Sequence, residues 1–155
     1  MILRRLLPVL LPAALAAADP PVKSVLERIE AGRLDLTPLA VSYDDLHPLW
    51  GGLVLTIHGS GKVEQKAVRQ TPGQPRLVTR EDLLKLVRLL LSEQVWNQRV
   101  PERTPVPDES RVRLTIRYGS DQSVIWEWYD DLKANQRMVQ IRDLMQRIAW
   151  VTPGR

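Results

Sequence analysis

Few residues of this sequence have the types and spacings that catalysis or metal binding requires. His47 and His58 are the only histidines, and there is no cysteine. Two imidazoles need carboxylate partners to complete a tetrahedral zinc site, and no carboxylate stands at a characteristic spacing from them. The lack of cysteine excludes disulfides, thiolate metal sites and a cysteine nucleophile. The sequence therefore predicts no catalytic residue, no metal site and no cofactor.

The segment Gly59-Ser60-Gly61-Lys62 matches parts of two catalytic motifs and completes neither. A phosphate-binding loop requires glycine at position 56 and serine or threonine at position 63, where the chain has Thr56 and Val63. A nucleophile elbow requires glycine two residues before the serine, where the chain has His58. A three-residue hairpin turn, with Gly61 in the left-handed conformation, is the favoured interpretation.

Adjacent carboxylates such as Asp44-Asp45, Glu81-Asp82 and Asp130-Asp131 are the remaining candidates for acid–base chemistry. Each pair falls in a predicted loop or at a predicted helix start, where capping and the helix dipole explain an acidic residue. The pattern therefore favours structural roles for these side chains. A small carboxylate-dependent hydrolase is retained as the last of three functional interpretations.

The segment Trp126-Glu127-Trp128 is the most distinctive cluster, and its meaning depends on the register of a predicted hairpin. A five-residue connection places Trp126 opposite Ile116 and directs both tryptophans toward the core. A four-residue connection places them beside Arg113 and Arg117, as an exposed aromatic and basic patch able to bind a sugar or protein surface. The five-residue connection is favoured, because it buries the largest apolar groups of the strand.

That register predicts a candidate binding face on the open side of the sheet. Arg113, Arg117 and Glu127 would line this face, because unpaired guanidinium groups are too costly to bury. Opposite charges there would form weak surface pairs rather than a catalytic site. The prediction is thus a binding face without catalytic residues.

The helix predicted for residues 79–96 is the element around which the rest of the chain is arranged. Apolar residues recur along it at spacings of three and four, the period of one helical face: Leu83, Leu84, Val87, Leu90 and Leu91. Thr79 is the predicted N-cap, and Glu81 precedes Lys85 by the four residues that suit an ion pair. The apolar run is too short for a membrane span.

Alternating apolar and polar residues predict one β-hairpin on each side of this helix. In the hairpin that precedes it, the turn at residues 59–61 places Ile57 opposite Val63 and Leu53 opposite Ala67. The other hairpin covers residues 111–129, and a last helix runs from about residue 134 to residue 150. The predicted fold is α+β: a single antiparallel sheet of two hairpins in ββαββα order, with two helices packed on one face.

The ends of the chain have a different composition from this domain. Residues 1–18 combine a basic start, an apolar stretch and small residues before Asp19, which predicts a secretory signal peptide and export to the periplasm or the exterior. Residues 19–38 are interpreted as a flexible or short-helical segment, with a short helix at residues 24–31. The α+β domain occupies residues 39–150, with a short strand at residues 39–43, and residues 151–155 form a disordered tail.

Charge gives no reason to expect a nucleic-acid partner. The chain has 22 basic and 18 acidic side chains, a formal net charge of +4. Loss of Arg4 and Arg5 with the signal leaves 20 basic against 18 acidic side chains, a net charge of only +2. Export also separates the mature chain from nucleic acid. No stable membrane span is predicted in the mature chain.

The first hairpin reads Leu55-Thr56-Ile57-His58-Gly59-Ser60-Gly61-Lys62-Val63, and a polar strand and an amphipathic helix follow it. This arrangement resembles a family of small uncharacterised secreted or lipid-anchored bacterial domains. Their hairpin reads L-T-I-x-G-x-G-x-V, and the resemblance covers about residues 40–150. Many members carry a C-x-x-C-P-like segment before the strand, where this chain has His47-Pro48-Leu49-Trp50. The resemblance therefore implies no redox role here, and the family has no established activity to transfer.

Three functional interpretations follow from these patterns. The favoured one is an exported domain without catalytic activity that binds a protein or a component of the cell envelope. The second is a secreted inhibitor of another protein, since an antiparallel sheet backed by helices can present an inhibitory face. The third is the small carboxylate-dependent hydrolase.

Overall fold

One five-stranded antiparallel sheet organises the computed structural model, which describes residues 21–152. The strands are β1 (Leu39–Asp44), β2 (Gly52–His58), β3 (Val63–Val68), β4 (Arg111–Tyr118) and β5 (Asp121–Trp128), in the spatial order β3-β2-β1-β4-β5. The helices within this part of the chain are α1 (Pro21–Glu30), α2 (Arg80–Ser92) and α3 (Gln136–Ala149), with 3-10 turns at Val95–Asn97 and Tyr129–Ala134. The α+β class and the single antiparallel sheet are as predicted.

The predicted ββαββα order is wrong, because β1 joins the two hairpins into one sheet. It pairs with β2 on one side and with β4 on the other, so it is the central strand. Leu39, Val41 and Tyr43 are buried on one face of β1, and Ser42 and Asp44 alternate with them on the other. The short strand predicted at residues 39–43 is therefore present, but its central place in the sheet follows from pairing on both sides, which its own short sequence does not indicate.

The helix α1 also lies outside the predicted two-helix layout. Its buried side chains are Val22, Val25, Leu26 and Ile29, which share one helical face and pack into the core of the domain. Of the two alternatives given for residues 19–38, the structure has the short helix, which begins at Pro21 rather than at residue 24 and is part of the folded unit. The predicted signal peptide, residues 1–18, lies outside the described residues, as do residues 153–155 of the predicted tail.

The helix α2 begins as predicted and ends early. The Thr79 hydroxyl accepts a hydrogen bond from the Asp82 backbone N–H at 3.2 Å, and Lys85 Nζ lies 3.1 Å from Glu81. The helix stops at Ser92 because Gln94 adopts a left-handed conformation with φ of 46°. A short 3-10 turn then returns the chain to the core, where Val95 is fully buried.

The register predicted for the β2–β3 hairpin is confirmed. Ile57 pairs with Val63 and Leu53 with Ala67 across the turn at residues 59–61. Gly61 has φ of 88°, and a Cβ atom there would lie 2.4 Å from the carbonyl oxygen of Val78. The Val78 backbone N–H donates to the Gly61 carbonyl at 2.9 Å, so this turn also fixes the segment that leads into α2.

The register favoured for the β4–β5 hairpin is wrong. Tyr118 pairs with Asp121, so Gly119 and Ser120 form a two-residue turn, with Gly119 at a φ of 57°. This connection is shorter than either alternative considered from the sequence. The observed connection is two residues shorter than the four-residue alternative. Because side chains on a strand alternate between the two faces, a shift of two residues leaves each side chain on the same face as in that alternative. Trp126 and Trp128 therefore lie on the open face rather than against the helices.

The last helix, α3, begins at Gln136, slightly later than the predicted start near residue 134, and buries one apolar stripe. Met138, Ile141, Met145 and Ile148 are at most 3% exposed, and Asn135 caps the helix by accepting from the Met138 backbone N–H. Beyond it, the Val151 backbone N–H donates to the Gln74 carbonyl at 2.9 Å. Within residues 21–152, no helix has the length and apolar character needed to cross a membrane.

Candidate binding face on the open side of the sheet

A row of arginines lies beside a pair of tryptophans on the open face of the sheet, the face opposite the helices. Arg111 pairs with Trp128 and Arg113 with Trp126 across the β4–β5 ladder, and Arg117 follows along β4. The three arginines are exposed, whereas both tryptophans are partly buried. We refer to Arg111, Arg113, Arg117, Trp126 and Trp128 as the arginine–tryptophan strip.

Stacking holds one guanidinium of the strip in place. The guanidinium carbon of Arg111 lies 4.3 Å from the ring centroid of Trp126 and 5.2 Å from that of Trp128. The two indoles meet edge to face, with centroids 5.1 Å apart and planes at 86°. Arg103 adds a second cation at 5.4 Å from Trp128. These contacts are favourable cation–π interactions, and they occupy ring faces that a ligand would otherwise use.

The positive charge of the strip is largely uncompensated. Arg113 is 3.9 Å from Asp44, which is the outer limit of an ion pair. Among residues 21–152, no carboxylate lies within ion-pair distance of Arg111 or Arg117. Their donors thus face solvent in a fork geometry that suits a carboxylate or a phosphate.

The centre of the open face is a shallow depression of about 300 Å³ with a floor of small side chains from the central strands. The Thr56 hydroxyl donates to Ser42 Oγ at 2.9 Å across the β1–β2 pair. At one wall, His58 Nε2 lies 3.3 Å from the Glu64 carboxylate, and Lys62 Nζ lies 2.6 Å from it. The hydrogen bond from Lys62 lowers the pKa of Glu64.

This depression does not form a hydrolytic triad. In the described part of the chain, no serine or threonine hydroxyl is hydrogen-bonded to His58, so no nucleophile is paired with a base. The same part of the chain contains no group of three or more histidine, aspartate or glutamate side chains placed to hold a metal ion. The open face is therefore a surface suited to binding through hydroxyls and guanidinium groups.

Glu127, which was predicted for the open face, lies on the opposite side. It is only 4% exposed, because the two-residue turn puts it on the core side of β5. Its carboxylate accepts from the Trp128 backbone N–H at 2.8 Å, and from the side-chain amides of Gln98 and Asn135 at 3.0 Å each. Glu127 therefore joins β5 to the segment after α2 and to the cap of α3, and does not line the candidate binding face.

Most side chains of the predicted carboxylate pairs have structural partners. Asp44 and Asp45 accept from the backbone N–H groups of Leu46 and Leu53, at 3.0 Å and 2.7 Å. The Asp82 carboxylate lies 2.9 Å from the Arg76 guanidinium and 3.2 Å from Lys85 Nζ. These contacts explain the acids at loops and helix starts without an acid–base role.

An ion-pair cluster around the buried Glu109 side chain fastens the loop of residues 100–110 next to the strip. Arg103 forms a two-point contact with Glu109, at 2.6 Å and 2.9 Å, and a third bond to Asp131 at 2.9 Å. The Glu109 side chain is 1% exposed, and it also accepts from the Val106 backbone N–H at 3.1 Å. The loop that borders the strip is thus held in one conformation.

We expect this cluster to make the protein less stable in acid. The Arg103 guanidinium lowers the pKa of Glu109 from 4.5 to about 2. As pH falls, Glu109 is therefore protonated at a higher pH in the unfolded chain than in the folded chain. The stabilisation that the charged Glu109 gives at neutral pH is lost as pH falls from about 5 to about 2. Urea denaturation across that range measures the loss.

The control for this prediction is Glu109→Gln, which cannot titrate at this position. The variant should show a shallower decline in unfolding midpoint between about pH 5 and about pH 3 than the parent chain. Equal declines in the two proteins would contradict the assignment of the acid sensitivity to Glu109.

No protein-family model, no curated protein and no solved structure matches this chain. The resemblance to small exported bacterial domains therefore stays a prediction. The candidate site rests instead on the geometry of the open face. Two residues of the strip, Arg113 and Arg117, were predicted for this face. Arg111 was not predicted, although it alternates along the strand with Arg113 and Arg117 and the same pattern would have placed it on this face.

Proposed function

We propose that this chain is a non-catalytic binding domain that holds an anionic protein or envelope component on the arginine–tryptophan strip. One observation carries the proposal: three exposed guanidinium groups share one face, and the nearest carboxylate is 3.9 Å from one of them. In the described chain, neither Arg111 nor Arg117 has a carboxylate within ion-pair distance. An anionic partner would supply the missing charge.

The stacked geometry of Arg111 strengthens this argument. A guanidinium fixed over two indoles has lost conformational freedom before the partner arrives, so less entropy is lost on binding. Arginine and tryptophan are also the side chains that most often dominate the energetics of protein interfaces. The strip therefore combines charge complementarity with a preorganised contact.

The other two interpretations have less support. A secreted inhibitor would be a special case of the same proposal, with an acidic enzyme surface as the partner. A carboxylate-dependent hydrolase would need free acids in a pocket, whereas Asp44, Asp45 and Asp82 are engaged in backbone or ion-pair contacts. The binding interpretation uses the exposed groups that these alternatives leave unexplained.

We further propose that the domain acts after export. The support is the composition of residues 1–18, with a basic start, an apolar stretch and small residues before Asp19. Mass spectrometry of the protein purified from its host should find a mature N-terminus near Asp19. Recovery of the chain with an intact Met1 from the cytosol would refute export.

We expect neutralisation of the strip to weaken the binding of anionic polymers. The test variant replaces Arg111, Arg113 and Arg117 with glutamine, and the probes are fluorescent poly-glutamate and polygalacturonate at low ionic strength. The variant should bind the better probe about tenfold more weakly, because three exposed charge contacts together amount to about 1–2 kcal/mol. Added salt should weaken the binding of the parent chain.

The matched control replaces Arg28, Arg80 and Arg147, which are exposed on the helices, with glutamine. This control removes the same charge from the other side of the molecule and should change the affinity by less than about twofold. Equal weakening in the two triple variants would mean that net charge, rather than the strip, governs binding. That outcome, or a lack of binding to both polymers, would refute the proposed function.

A further inference from the structure

The arginine–tryptophan strip continues, at one end of the sheet, into a groove of about 610 Å³. Leu46 and Pro48 line this end groove from the loop after β1, and Pro105 and Val106 line it from the loop before β4. Trp128, at the end of β5, also lines it. Arg111 and Arg113 stand where the groove meets the open face. A ligand bound along the strip would therefore reach the groove without a break.

Both walls of the end groove are held in place before any ligand binds. On one side, His47 and Gly51 exchange backbone hydrogen bonds at 2.8 Å and 3.0 Å, which closes the loop that carries Pro48. His47 Nδ1 also accepts from the Leu49 backbone N–H at 3.0 Å. On the other side, the buried Glu109 carboxylate fixes the backbone of Val106. Preformed walls reduce the entropy lost on binding.

The chemistry of the groove differs from that of the strip. Polar and charged residues make up half of its lining, and its aliphatic part comes from Leu46, Pro48, Pro105 and Val106. Val106 is 51% exposed, so this aliphatic part is open to a ligand. The exposed acid Asp108 lies at the groove, where it would repel a carboxylate of the ligand. The groove thus suits an uncharged aliphatic side chain, whereas the strip suits carboxylates.

Ser110 adds a group that could meet a peptide backbone. It lines the groove, and its hydroxyl oxygen is buried without a hydrogen-bond partner in the described chain. Such a group carries a desolvation cost that a partner relieves. Rotation of the side chain toward the groove would let the hydroxyl pair with an amide of the ligand.

We propose that the partner is an extended polypeptide segment that places carboxylates on the strip and a neighbouring aliphatic side chain in the end groove. This inference rests on the proposed function and names the class of its partner. A polypeptide supplies all three complements together: carboxylates, an aliphatic side chain and backbone amides. On a strand, side chains on one face repeat about every 7 Å, which is also the spacing of Arg111 and Arg113 along β4.

Two other anionic partners fit less well. Sugar rings bind by stacking on open aromatic faces, whereas Arg111 covers both indoles of the strip. An anionic lipid would bury acyl chains in a deep apolar cavity, whereas the end groove is open and bordered by Asp108. Anionic polysaccharide and anionic lipid are therefore the alternatives that the experiment must separate.

The experiment compares two fluorescent acidic peptides that differ at one position, Glu-Glu-Glu-Leu-Glu-Glu and Glu-Glu-Glu-Ser-Glu-Glu, each with blocked ends. The leucine peptide should bind the parent chain about tenfold more tightly, because it buries one aliphatic side chain in the groove. Val106→Ser should reduce this preference to less than about threefold. Val151→Ser, at a similarly exposed valine remote from the groove, should leave the preference unchanged.

The outcomes separate this inference from the function on which it rests. If both peptides bind equally and in an arginine-dependent way, the inference is overturned and the proposed function stands. The same holds if polygalacturonate, or vesicles containing phosphatidylglycerol, bind more tightly than the leucine peptide through the three arginines. If no anionic probe binds, both are overturned. The inference is supported if the parent chain prefers the leucine peptide, if Val106→Ser removes this preference, and if Val151→Ser leaves it unchanged.

Discussion

Replacement of Leu90 by alanine should lower the free energy of unfolding by about 2–5 kcal/mol. Leu90 is fully buried on the face of α2 that packs into the core. Removing its isobutyl group takes away buried apolar area and leaves a cavity that the surrounding side chains fill only in part. Urea denaturation followed by circular dichroism measures the loss.

Leu77→Ala is the matched control for this prediction, because it makes the same chemical change at a side chain that is 74% exposed. The control should change the free energy of unfolding by less than about 0.5 kcal/mol. If the two substitutions cost the same, Leu90 would not occupy the core position that the structure gives it.

Replacement of Glu127 by alanine should cost about 2–4 kcal/mol, the second largest effect that we expect. The substitution removes an acceptor shared by the side-chain amides of Gln98 and Asn135 and by the backbone N–H of Trp128. These donors lie where the chain is partly shielded from water, and unpaired donors there are costly. Loss of the link would also loosen the cap of α3.

Glu127→Gln is the informative comparison for the alanine variant. Glutamine retains the shape and one carbonyl acceptor but loses the charge and the second acceptor, so it should cost less than alanine. Arg117→Ala, on the exposed face of the neighbouring strand, should cost less than about 0.5 kcal/mol. If Glu127→Ala is as mild as Arg117→Ala, the hydrogen bonds of Glu127 contribute little to stability.

The elements that were predicted well are those whose signals are local. In α2, the apolar stripe, the Thr79 cap and the Glu81–Lys85 pair all lie within one segment, and the structure contains each of them. In the β2–β3 hairpin, the glycines of the turn fix the register within a few residues. Neighbouring residues alone decide these features, so a sequence pattern suffices to predict them.

The candidate site was predicted only in part because it depends on the register of the β4–β5 hairpin. The segment at residues 119–122 is compatible with several connection lengths, and a change of one residue exchanges the two faces of a strand. The burial argument favoured tryptophan in the core and Glu127 outside. It failed because cation–π contacts stabilise the half-buried tryptophans on the open face, and remote amides satisfy the buried acid.

The sequence by itself determined the α+β class, the helix α2, the hairpin around Gly61 and the placement of Arg111, Arg113 and Arg117 on one face of β4. Each depends on periodicity or turn chemistry within a few residues of the chain. Only the tertiary structure decided that β1 is central, that Glu127 is buried and that Arg111 stacks on two indoles beside the end groove. These features join segments separated by tens of residues, and their free energies come from packing and hydrogen bonds that exist only once those segments meet.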